Sequence, residues 1–442
     1  MKVKGKTQIL PPKDVIENSF IADLHIHSKY SRASSKNMEP KTLWEVGRVK
    51  GLSVIGTGDF THPEYLRELK EVLEFDEKTG FYIYKGSGGE PPYFVPSAEI
   101  SIIYSTKSKT NRRVHLLLIA PDFKVVDEIN RYLSKLGNLL ADGRPTFGIP
   151  AKILVLELIK ISSDVLIIPA HAWTPWYSIF GAFSGFDSLK EALEEATPYI
   201  TAIETGLSSD PEMNWRLSAL DKINLISNSD AHSPARIGRE ATAFFLPITY
   251  ESILQGIKCG KIAYTIEFYP EEGKYHYDGH RACGVVLHPR TTKLLNGICP
   301  KCGAPLTIGV LHRIEDLADR EEGYTPQNKP YSVHLIPLIE ILSEVYNLNS
   351  SSKSLEKLYR TVLDKVGTEY DVLFKKPLSE LEKVLDERLV LAISRMREGK
   401  VFVQPGYDGV YGKILVFPPT KEEEKPLTPG QQSLFVNVKS KN

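Results

Sequence analysis

The sequence is poor in cysteine, balanced in charge and free of long apolar runs. Only four of its 442 residues are cysteines, and Cys283, Cys299 and Cys302 lie close together, which in a chain without a secretory signal favours metal binding over disulfides. It has 55 basic and 55 acidic residues, so net charge gives no sign for or against nucleic acid, and any basic surface must be local. No run approaches the roughly eighteen apolar residues of a membrane span, so no membrane partner is expected.

The amino-terminal stretch MKVKGKTQILPPKD lacks the apolar region of a secretory signal, so we expect a cytoplasmic protein. The hydrophobic fraction of 42% and the charged fraction of 25% are those of a globular chain. Glutamine is rare while lysine and glutamate are plentiful, which indicates a thermophile. The length is enough for two or three domains.

Short apolar runs alternate with amphipathic segments over the first 268 residues. The runs include FIADLHIH, LSVIGTGD, VHLLLIAP, VLIIPAHA and NLISNSDAH, and the segments between them include PEYLRELKEVLE and DSLKEALEEA. Such alternation predicts an α/β domain with a parallel sheet, either open or closed into a barrel.

The composition changes three times after this domain. We predict an α/β barrel over residues 1–268, a cysteine-bearing module over 269–325 and a helical domain over 326–417. The last stretch, 418–442, contains PPTKEEEKPLTPGQQ, which cannot build a core, so we expect a disordered tail.

Histidines and carboxylates lie at or near the ends of the apolar runs in the first domain. A lone histidine beside a strand is more often a core or surface residue than a ligand, but a set in equivalent positions favours metal binding. Neutral imidazoles and carboxylates suit divalent transition metals, and Glu99 could bridge two ions about 4 Å apart. The candidates are His25, His27, His62, His115, His171, His232, Asp23, Asp59, Glu99, Glu204 and Asp230.

Six motifs resemble those of the PHP (polymerase and histidinol phosphatase) family. They are DLHIH at 23–27, GTGDFTH at 56–62, PSAE at 96–99, VH at 114–115, PAH at 169–171 and NSDAH at 228–232. The resemblance covers about residues 20–240. It implies a distorted (β/α)7 barrel that holds two or three divalent ions (Zn, Mn or Mg) and hydrolyses phosphoesters.

The resemblance also assigns ligands and catalytic residues. His25, His27, Glu99 and Asp230 would bind one ion, while Glu99, His115 and His171 would bind a second, with Glu99 bridging. His232 would serve a third ion with either Asp59 or His62, because the Asp–His pair that is usually adjacent is separated here and a further family histidine is replaced by Ala33. The implied catalytic residues are His25, His27, Asp59, Glu99, His171, Asp230 and His232.

The cysteine-bearing module contains two ligand pairs, His280-x2-Cys283 and Cys299-x2-Cys302. This spacing predicts a tetrahedral structural zinc site, and such a module is expected to unfold without its ion. His276 and His288 lie near His280 and are alternatives to it. A redox CxxC is the other interpretation, but it would leave Cys283 without a role.

The combination of a PHP-like barrel, a zinc ribbon and a helical domain resembles the endonuclease Q family of mainly archaeal DNA-repair nucleases. NGICPKCGAPLTIGVLHRIEDLADR and ADGRPTFGIPA carry the likeness beyond the barrel. It implies a metal-dependent endonuclease that nicks duplex or single-stranded DNA 5′ of deaminated bases (hypoxanthine, uracil, xanthine) or at abasic sites, leaving 3′-OH and 5′-phosphate. The rival interpretations are a small-molecule phosphatase of the histidinol-phosphate type and a non-catalytic DNA-binding protein.

Aromatic and basic residues next to the histidine motifs are candidates for DNA contact. Aromatic side chains can stack on a base that has left the helix, although a hydrophobic plug of the barrel is the alternative. Basic side chains can hold phosphates, although solvated surface charges are the alternative. The candidates are Trp173, Trp176, Tyr177, Arg112, Arg113, Arg236 and Arg239, with Lys107 and Lys109 nearby.

The carboxyl-terminal stretch GQQSLFVNV is similar to a sliding-clamp binding peptide. Gln431 and Leu434 match the glutamine and the aliphatic position of such peptides, while Phe435 precedes the place where the paired aromatics are usual. Two interpretations stay open, a peptide that binds the sliding clamp through Gln431, Leu434 and Phe435, and a tail without a partner.

Overall fold

The computed structural model describes residues 3–4, 8–105, 111–349 and 351–418. These residues form two compact units. Pro11–Glu267 and Asp319–Ser332 make up the first, which we call the barrel unit. The described parts of Met1–Leu10, Phe268–Ala318 and Val333–Asn442 make up the second, which we call the ribbon–helix unit. The four-part domain division stays a prediction.

The strands are mostly short. They are β1 (Val3–Lys4), β2 (Ser19–Asp23), β3 (Val54–Gly56), β4 (Leu73–Asp76), β5 (Phe81–Tyr84), β6 (Tyr93–Val95), β7 (Ser97–Ser105), β8 (Asn111–Ile119), β9 (Thr146–Phe147), β10 (Leu166–Pro169), β11 (Ala202–Glu204), β12 (Asn224–Ile226), β13 (Ala241–Phe245), β14 (Ile262–Glu267), β15 (Asp278–His280), β16 (Val285–Leu287), β17 (Tyr331–His334), β18 (Phe402–Gln404) and β19 (Lys413–Leu415).

The helices lie between these strands and, later in the chain, follow one another. They are α1 (Lys13–Glu17), α2 (Pro40–Lys50), α3 (Pro63–Val72), α4 (Phe123–Leu133), α5 (Ala151–Ile161), α6 (Leu189–Leu193), α7 (Pro211–Asn214), α8 (Tyr250–Cys259), α9 (Pro289–Leu294), α10 (Val310–Leu317), α11 (Leu338–Tyr346), α12 (Lys353–Val366), α13 (Leu378–Leu381) and α14 (Glu387–Arg397). None of the helices in the described residues is both long and apolar enough to cross a membrane.

The strands of the barrel unit form three sheets. The largest runs in the order β14, β13, β2, β3, β6, β5 and β4, the second in the order β10, β8, β7 and β9, and the third pairs β11 with β12. β3 is parallel to β2 and β6, whereas β13 is antiparallel to β2 and β8 is antiparallel to β7 and β10. The two larger sheets are therefore mixed, unlike the parallel arrangement that the alternation of strands and helices predicts, whereas β11 and β12 are parallel.

All three sheets direct apolar side chains into one core, as in a barrel. Ala22 of β2, Leu117 of β8 and Ile226 of β12 belong to this single buried cluster. α8 covers it with Ile253 and Ile257, which are one turn apart on the helix. Each such side chain contributes about 1.5–3 kcal/mol by leaving water. The predicted α/β fold class is confirmed.

The hairpin of β7 and β8 places the two residues on which the predicted bridging site depends. Glu99 pairs with Leu117, and Ser101 pairs with His115. Directly opposed residues of an antiparallel pair point to the same face, and so do residues two apart on one strand. Glu99 and His115 are therefore diagonal neighbours on one face of this hairpin.

The ribbon–helix unit contains small sheets and an α-helical layer. β1, β18 and β19 form one sheet, and β15 pairs with β16 in a hairpin. α12 begins at the cap Ser352, whose hydroxyl accepts from the backbone N–H of Leu355, and α14 begins in the same way at Asp386. Such caps satisfy amide groups that lack partners inside the helix.

Candidate metal centre and surrounding residues

The predicted ligands converge because most of them lie at one end of the barrel strands. His25 and His27 follow β2, His171 follows β10, and Asp230 and His232 follow β12. The carboxyl ends of barrel strands meet on one face. A parallel bridge between Ile26 and Ala231 ties two of these strand ends together.

Three of the candidate residues have a left-handed backbone. Asp59 has φ 42°, His171 has φ 31° and Asp230 has φ 47°. Such conformations cost on the order of 1–3 kcal/mol for residues other than glycine, and they persist only where surrounding contacts fix them. Their concentration at these strand ends marks the face as a candidate functional site.

Glu99 lies at the middle of the constellation. Its Oε1 is 2.8 Å from Nδ1 of His115 and 2.9 Å from Nε2 of His171, and its Oε2 is 3.3 Å from Nε2 of His27. Burial alone would raise the pKa of Glu99, but the neighbouring histidines hold this pKa well below its usual value. The carboxylate thus stays ionised and faces two groups of imidazoles, which is the geometry of a bridging ligand.

His25, His27 and Asp230 have ligand atoms that converge without hydrogen bonding. Nε2 of His25 lies 3.7 Å from Oδ1 of Asp230, and Nε2 of His27 lies 3.1 Å from the same oxygen. All three atoms are buried, yet none has a hydrogen-bond partner among the described residues. Buried polar atoms are normally paired, so this convergence fits divalent metal ions, which use such ligands.

Carboxylates hold the second ring nitrogens of His25 and His27. Nδ1 of His25 is 3.0 Å from Oε2 of Glu204, and Glu204 also accepts from the backbone N–H of His171 and from Asn228. Such contacts orient metal-binding histidines and fix their tautomers. The sequence marked Glu204 as one of the candidate residues at a strand end, without assigning it to a particular ion.

Asp59 occupies the equivalent place beside His27. Its Oδ1 is 3.2 Å from Nδ1 of His27, and its Oδ2 accepts from the backbone and hydroxyl of Ser28 and from Ser31. This is the position of an orienting group, and Asp59 belongs to none of the described groups of three converging ligands. The metal-ligand role of Asp59 stays a prediction.

Of the residues predicted for a third site, His232 belongs to a group of converging ligands, whereas His62 belongs to none of those in the described residues. The ligand role of His62 stays a prediction. His27, Asp230 and His232 form a group with metal-ligand spacing. The ring of His232 stacks on that of His27 at 4.2 Å, and its Nδ1 is 2.8 Å from Oγ of Ser34. His62 instead stacks on Tyr30 at 4.2 Å. Its Nδ1 is buried and has no hydrogen-bond partner in the part of the chain that the structure describes.

Arg144 joins the centre although no feature of the sequence assigned it there. Its Nη1 donates to Oε2 of Glu99 at 2.9 Å. The only sequence signal was indirect, because Arg144 lies in ADGRPTFGIPA, a stretch that carries the family resemblance.

The aromatic loop after His171 has both buried and exposed members. Trp173 is 1% exposed and donates its indole N–H to Asn214 at 2.7 Å, so it belongs to the core. Trp176 and Phe183 are 41% and 54% exposed, and their rings stack at 4.8 Å. Tyr177 lies between these environments, with its ring 4.9 Å from that of His115.

The arginines predicted to contact DNA have protein partners in the structure. Arg112 donates to the carbonyl of Gly185 and to Glu191. Arg113 lies over the ring of Tyr177 at 5.4 Å. Arg239 donates twice to the carbonyl of Ser229, and burial lowers its pKa to about 10. Arg236 ends the short helix Pro234–Arg236.

The four predicted zinc ligands come together in the ribbon–helix unit. Ligand atoms of His280, Cys283, Cys299 and Cys302 all lie within 4.8 Å of one another. Burial would raise the pKa of Cys299, but hydrogen bonds from the backbone N–H groups of Lys301 and Cys302 lower it to about 6. A lowered pKa favours the thiolate that binds metal.

Two sets of predicted residues lie outside the described part of the chain. These are the basic pair Lys107 and Lys109 and the clamp-peptide residues Gln431, Leu434 and Phe435.

The chain resembles proteins of known and unknown function. Residues 337–400 match the family described as the MJ0043 C-terminal domain. The chain is 30% identical over 414 residues to the uncharacterised protein YqxK of Bacillus subtilis, covering 89% of this chain and 98% of YqxK. It is 33% identical over 261 residues to the uncharacterised protein MJ0043 of Methanocaldococcus jannaschii, covering 57% of this chain but only 32% of MJ0043.

Two solved structures are similar along nearly the whole chain. The lesion-specific endonuclease PfuEndoQ from Pyrococcus furiosus has 33% sequence identity and a TM-score of 0.80. Endonuclease Q in complex with a 27-mer duplex substrate that carries an abasic lesion at the active site has 33% identity and a TM-score of 0.78. Each match covers 92% of this chain and 98% of the other.

Proposed function

The chain belongs to the endonuclease Q family, and we propose that it is a DNA repair enzyme that nicks one strand on the 5′ side of a damaged nucleotide. This membership confirms the predicted class of metal-dependent DNA endonuclease. The damage is a deaminated base (hypoxanthine, uracil or xanthine) or an abasic site. The products are a 3′-OH and a 5′-phosphate. Duplex or single-stranded DNA is the proposed substrate.

One observation carries this proposal. The described barrel unit contains three groups of metal-ligand spacing that are linked, because two of them share His27 and two share Glu99. They lie in a chain of which 92% matches a lesion-specific endonuclease, over 98% of that endonuclease. A buried ligand cluster of this kind needs cations, and a phosphodiester is a substrate whose hydrolysis such cations promote.

The residues fit two principal ions, proposed as Zn, Mn or Mg. His25, His27, Glu99 and Asp230 would hold one, and Glu99, His115 and His171 would hold the other. His27, Asp230 and His232 would share a third where it is present. When bound, such ions neutralise phosphate oxygens, lower the pKa of the attacking water and stabilise the leaving 3′-oxygen.

The chain's own residues prepare the centre. Glu204 accepts from Nδ1 of His25, and Asp59 accepts from Nδ1 of His27, so each imidazole presents Nε2 to the cluster. Ser28 and Ser31 hold the carboxylate of Asp59 in place. These contacts remove the need for the ligands to reorganise during the reaction.

The exposed aromatic pair supports recognition of a nucleotide outside the helix. An enzyme that reads a base must take it out of the stack. Trp176 and Phe183 present stacked, exposed rings, and Tyr177 on the same loop reaches His115. Base–aromatic stacking contributes about 1–3 kcal/mol per base. Trp173 takes no part in this proposal, because it is buried against Asn214.

The ribbon–helix unit would hold one structural zinc through His280, Cys283, Cys299 and Cys302. The cytoplasmic location and the sliding-clamp contact stay predictions. No observation in the described residues favours the small-molecule phosphatase over the endonuclease.

A mapped nicking assay tests the proposed function. Duplexes with a single deoxyinosine, deoxyuridine or abasic site would be incubated with Mn²⁺, Mg²⁺ or Zn²⁺, and the cut mapped from both ends. We expect a nick 5′ of the lesion and none in unmodified duplex. The double variant Glu99→Ala, Asp230→Ala should bind DNA but not cut it. Cleavage of a small phosphoester without any DNA nick would replace the proposal with the phosphatase.

A further inference from the structure

Three hydrogen bonds to the backbone of the loop that carries Arg144 hold this loop next to the metal centre. The backbone N–H of Gly143 donates to the carbonyl of Tyr30 at 3.0 Å, and its carbonyl accepts from the hydroxyl of Thr61 at 2.9 Å. The carbonyl of Pro145 accepts from the backbone N–H of Ser101 at 2.9 Å. A loop with its polar backbone satisfied in this way holds its side chains in fixed positions.

Gly143 allows the loop to approach this closely. A Cβ atom at this position would clash with the carboxylate of Asp59 and with the hydroxyl of Ser31. Only glycine therefore lets the backbone pass directly over the group that orients His27. The next residue along the chain, Arg144, is delivered to Glu99 as a consequence.

The guanidinium of Arg144 has unused hydrogen-bonding capacity. It has five N–H donors, and one contact within the described residues is its 2.9 Å bond from Nη1 to Oε2 of Glu99. No other acceptor for this guanidinium is found in the described ranges. The side chain is 29% exposed, so its remaining donors are reachable from outside the protein.

Other arginines near the same unit's surface differ in this respect. Arg320 places both terminal nitrogens on the two oxygens of Asp221, at 2.6 Å each. Arg239 uses two donors on the carbonyl of Ser229. Arg144 instead contacts the metal centre itself and has guanidinium N–H donors without an acceptor in the described residues. Two such parallel donors match the spacing of two phosphate oxygens.

The electrostatic surroundings keep Arg144 charged and attached to the centre. An arginine side chain keeps its proton in proteins, and Nη1 of Arg144 lies 2.9 Å from Oε2 of Glu99. A cation that is held in place and already partly stripped of water does not have to move when negative charge develops next to it. The free energy of reorganisation during the reaction is therefore small.

We infer that Arg144 donates to a non-bridging oxygen of the scissile phosphate while its Nη1 remains on Glu99. The inference rests on the proposed function, since it assigns a substrate contact at the same site. Arg144 is then a catalytic residue, and its contact strengthens as charge accumulates on the phosphate oxygens. A merely structural role, in which Arg144 only neutralises Glu99, is the rival.

The test compares Arg144→Ala and Arg144→Lys with a matched control, Arg32→Ala. Arg32 contacts the same loop through Asp142 at 3.2 Å but is 83% exposed and does not reach Glu99. Single-turnover nicking of the lesion duplex should fall about 10²–10³-fold in Arg144→Ala and stay unchanged in the control. Lysine keeps the charge but not the fork, so Arg144→Lys should also lose rate.

Two further readouts separate catalysis from structure. Bound metal, measured by mass spectrometry, should be the same in Arg144→Ala and wild type, and added guanidinium ion should restore part of the rate. An unchanged nicking rate in Arg144→Ala, or a loss of bound metal that accounts for the loss of rate, would overturn the inference.

The inference and the proposed function can fail separately. If the wild type nicks lesion DNA and Arg144→Ala nicks it equally well, only the inference fails. If the wild type nicks no DNA, the proposed function fails, and hydrolysis of bis(p-nitrophenyl) phosphate by the same variants then decides on Arg144. A reduced rate in Arg144→Ala supports the phosphate contact, and an equal rate rejects it.

Discussion

Replacing Cys302 with serine should unfold residues 278–308 and leave the barrel unit folded. Cys302 is one of four converging ligand residues, with its sulfur 3.3 Å from Nδ1 of His280. Serine removes the thiolate that a tetrahedral zinc site requires. Cys259 is exposed and belongs to none of the described metal groups, so Cys259→Ser is the matched control.

The magnitude follows from how little apolar core this segment has. Its buried cluster consists of Val285, Cys299 and Leu306, with Cys283 and Leu287 packed against it. Buried side chains contribute about 1.5–3 kcal/mol each, whereas zinc binding contributes about 10–16 kcal/mol in zinc-finger peptides. Because about 1.4 kcal/mol changes an equilibrium tenfold, losing the ion should raise the equilibrium constant for local opening by about seven to eleven orders of magnitude.

Hydrogen exchange followed by mass spectrometry measures this opening segment by segment. In Cys302→Ser, amides of β15, β16 and the 299–303 turn should exchange at the rate of an unfolded chain, while peptides from β2 and β7 should keep wild-type protection. Full protection of residues 278–308 in this variant would refute the argument that an ion holds the segment together. A chelator would not replace the variant, because it would also strip the barrel.

Three other predictions concern separate parts of the molecule. Glu99→Gln should lose the barrel ions and keep the ion of the ribbon, and elemental analysis that finds all ions retained would contradict the bridging role. Trp173→Phe leaves the buried amide of Asn214 without its indole donor, so the barrel unit should lose about 1–3 kcal/mol in denaturant unfolding; a change near zero would show that Trp173 is not fixed in the core. The hydrogen bond to Asp278 raises the pKa of His312, so its stabilisation is complete below the unfolded pKa of about 6.5 and is lost as pH rises through the folded value. The difference between wild type and His312→Gln in exchange protection of α10 should therefore shrink as pH rises above about 6.5, and a growing difference would refute the assigned ion pair.

The candidate site could be predicted best where metal-ligand residues lie at the ends of predicted strands. DLHIH and NSDAH follow apolar runs, so their histidines and Asp230 can be assigned to one face of a barrel from the sequence alone. The convergence of His280, Cys283, Cys299 and Cys302 could be predicted equally well, because ligand spacing within a short module fixes which atoms can meet. Both cases need only local sequence and one rule of topology.

Contacts between residues that are far apart in the chain and lie on loops could not be predicted from the sequence. Arg144 meets Glu99 across 45 residues, through a loop whose course is set by hydrogen bonds to Tyr30 and Thr61. The same limit applies to Trp173 and Trp176, which are three residues apart but have opposite environments. The mixed sheets arise for a related reason, since β7 and β8 pair antiparallel where the general alternation of strands and helices predicts parallel strands.

The left-handed backbone at Asp59, His171 and Asp230 lowers the free energy of unfolding at the positions that the metal centre uses. At roughly 1–3 kcal/mol each, the three positions together consume an appreciable part of the 5–15 kcal/mol or so that separates a folded domain from its unfolded state. Glycine would relieve this strain at any of them, at the expense of a side chain that the centre needs. A laboratory selection for heat resistance alone would therefore drift toward inactive chains at these positions, and selections for a more durable nuclease must score cleavage in the same round.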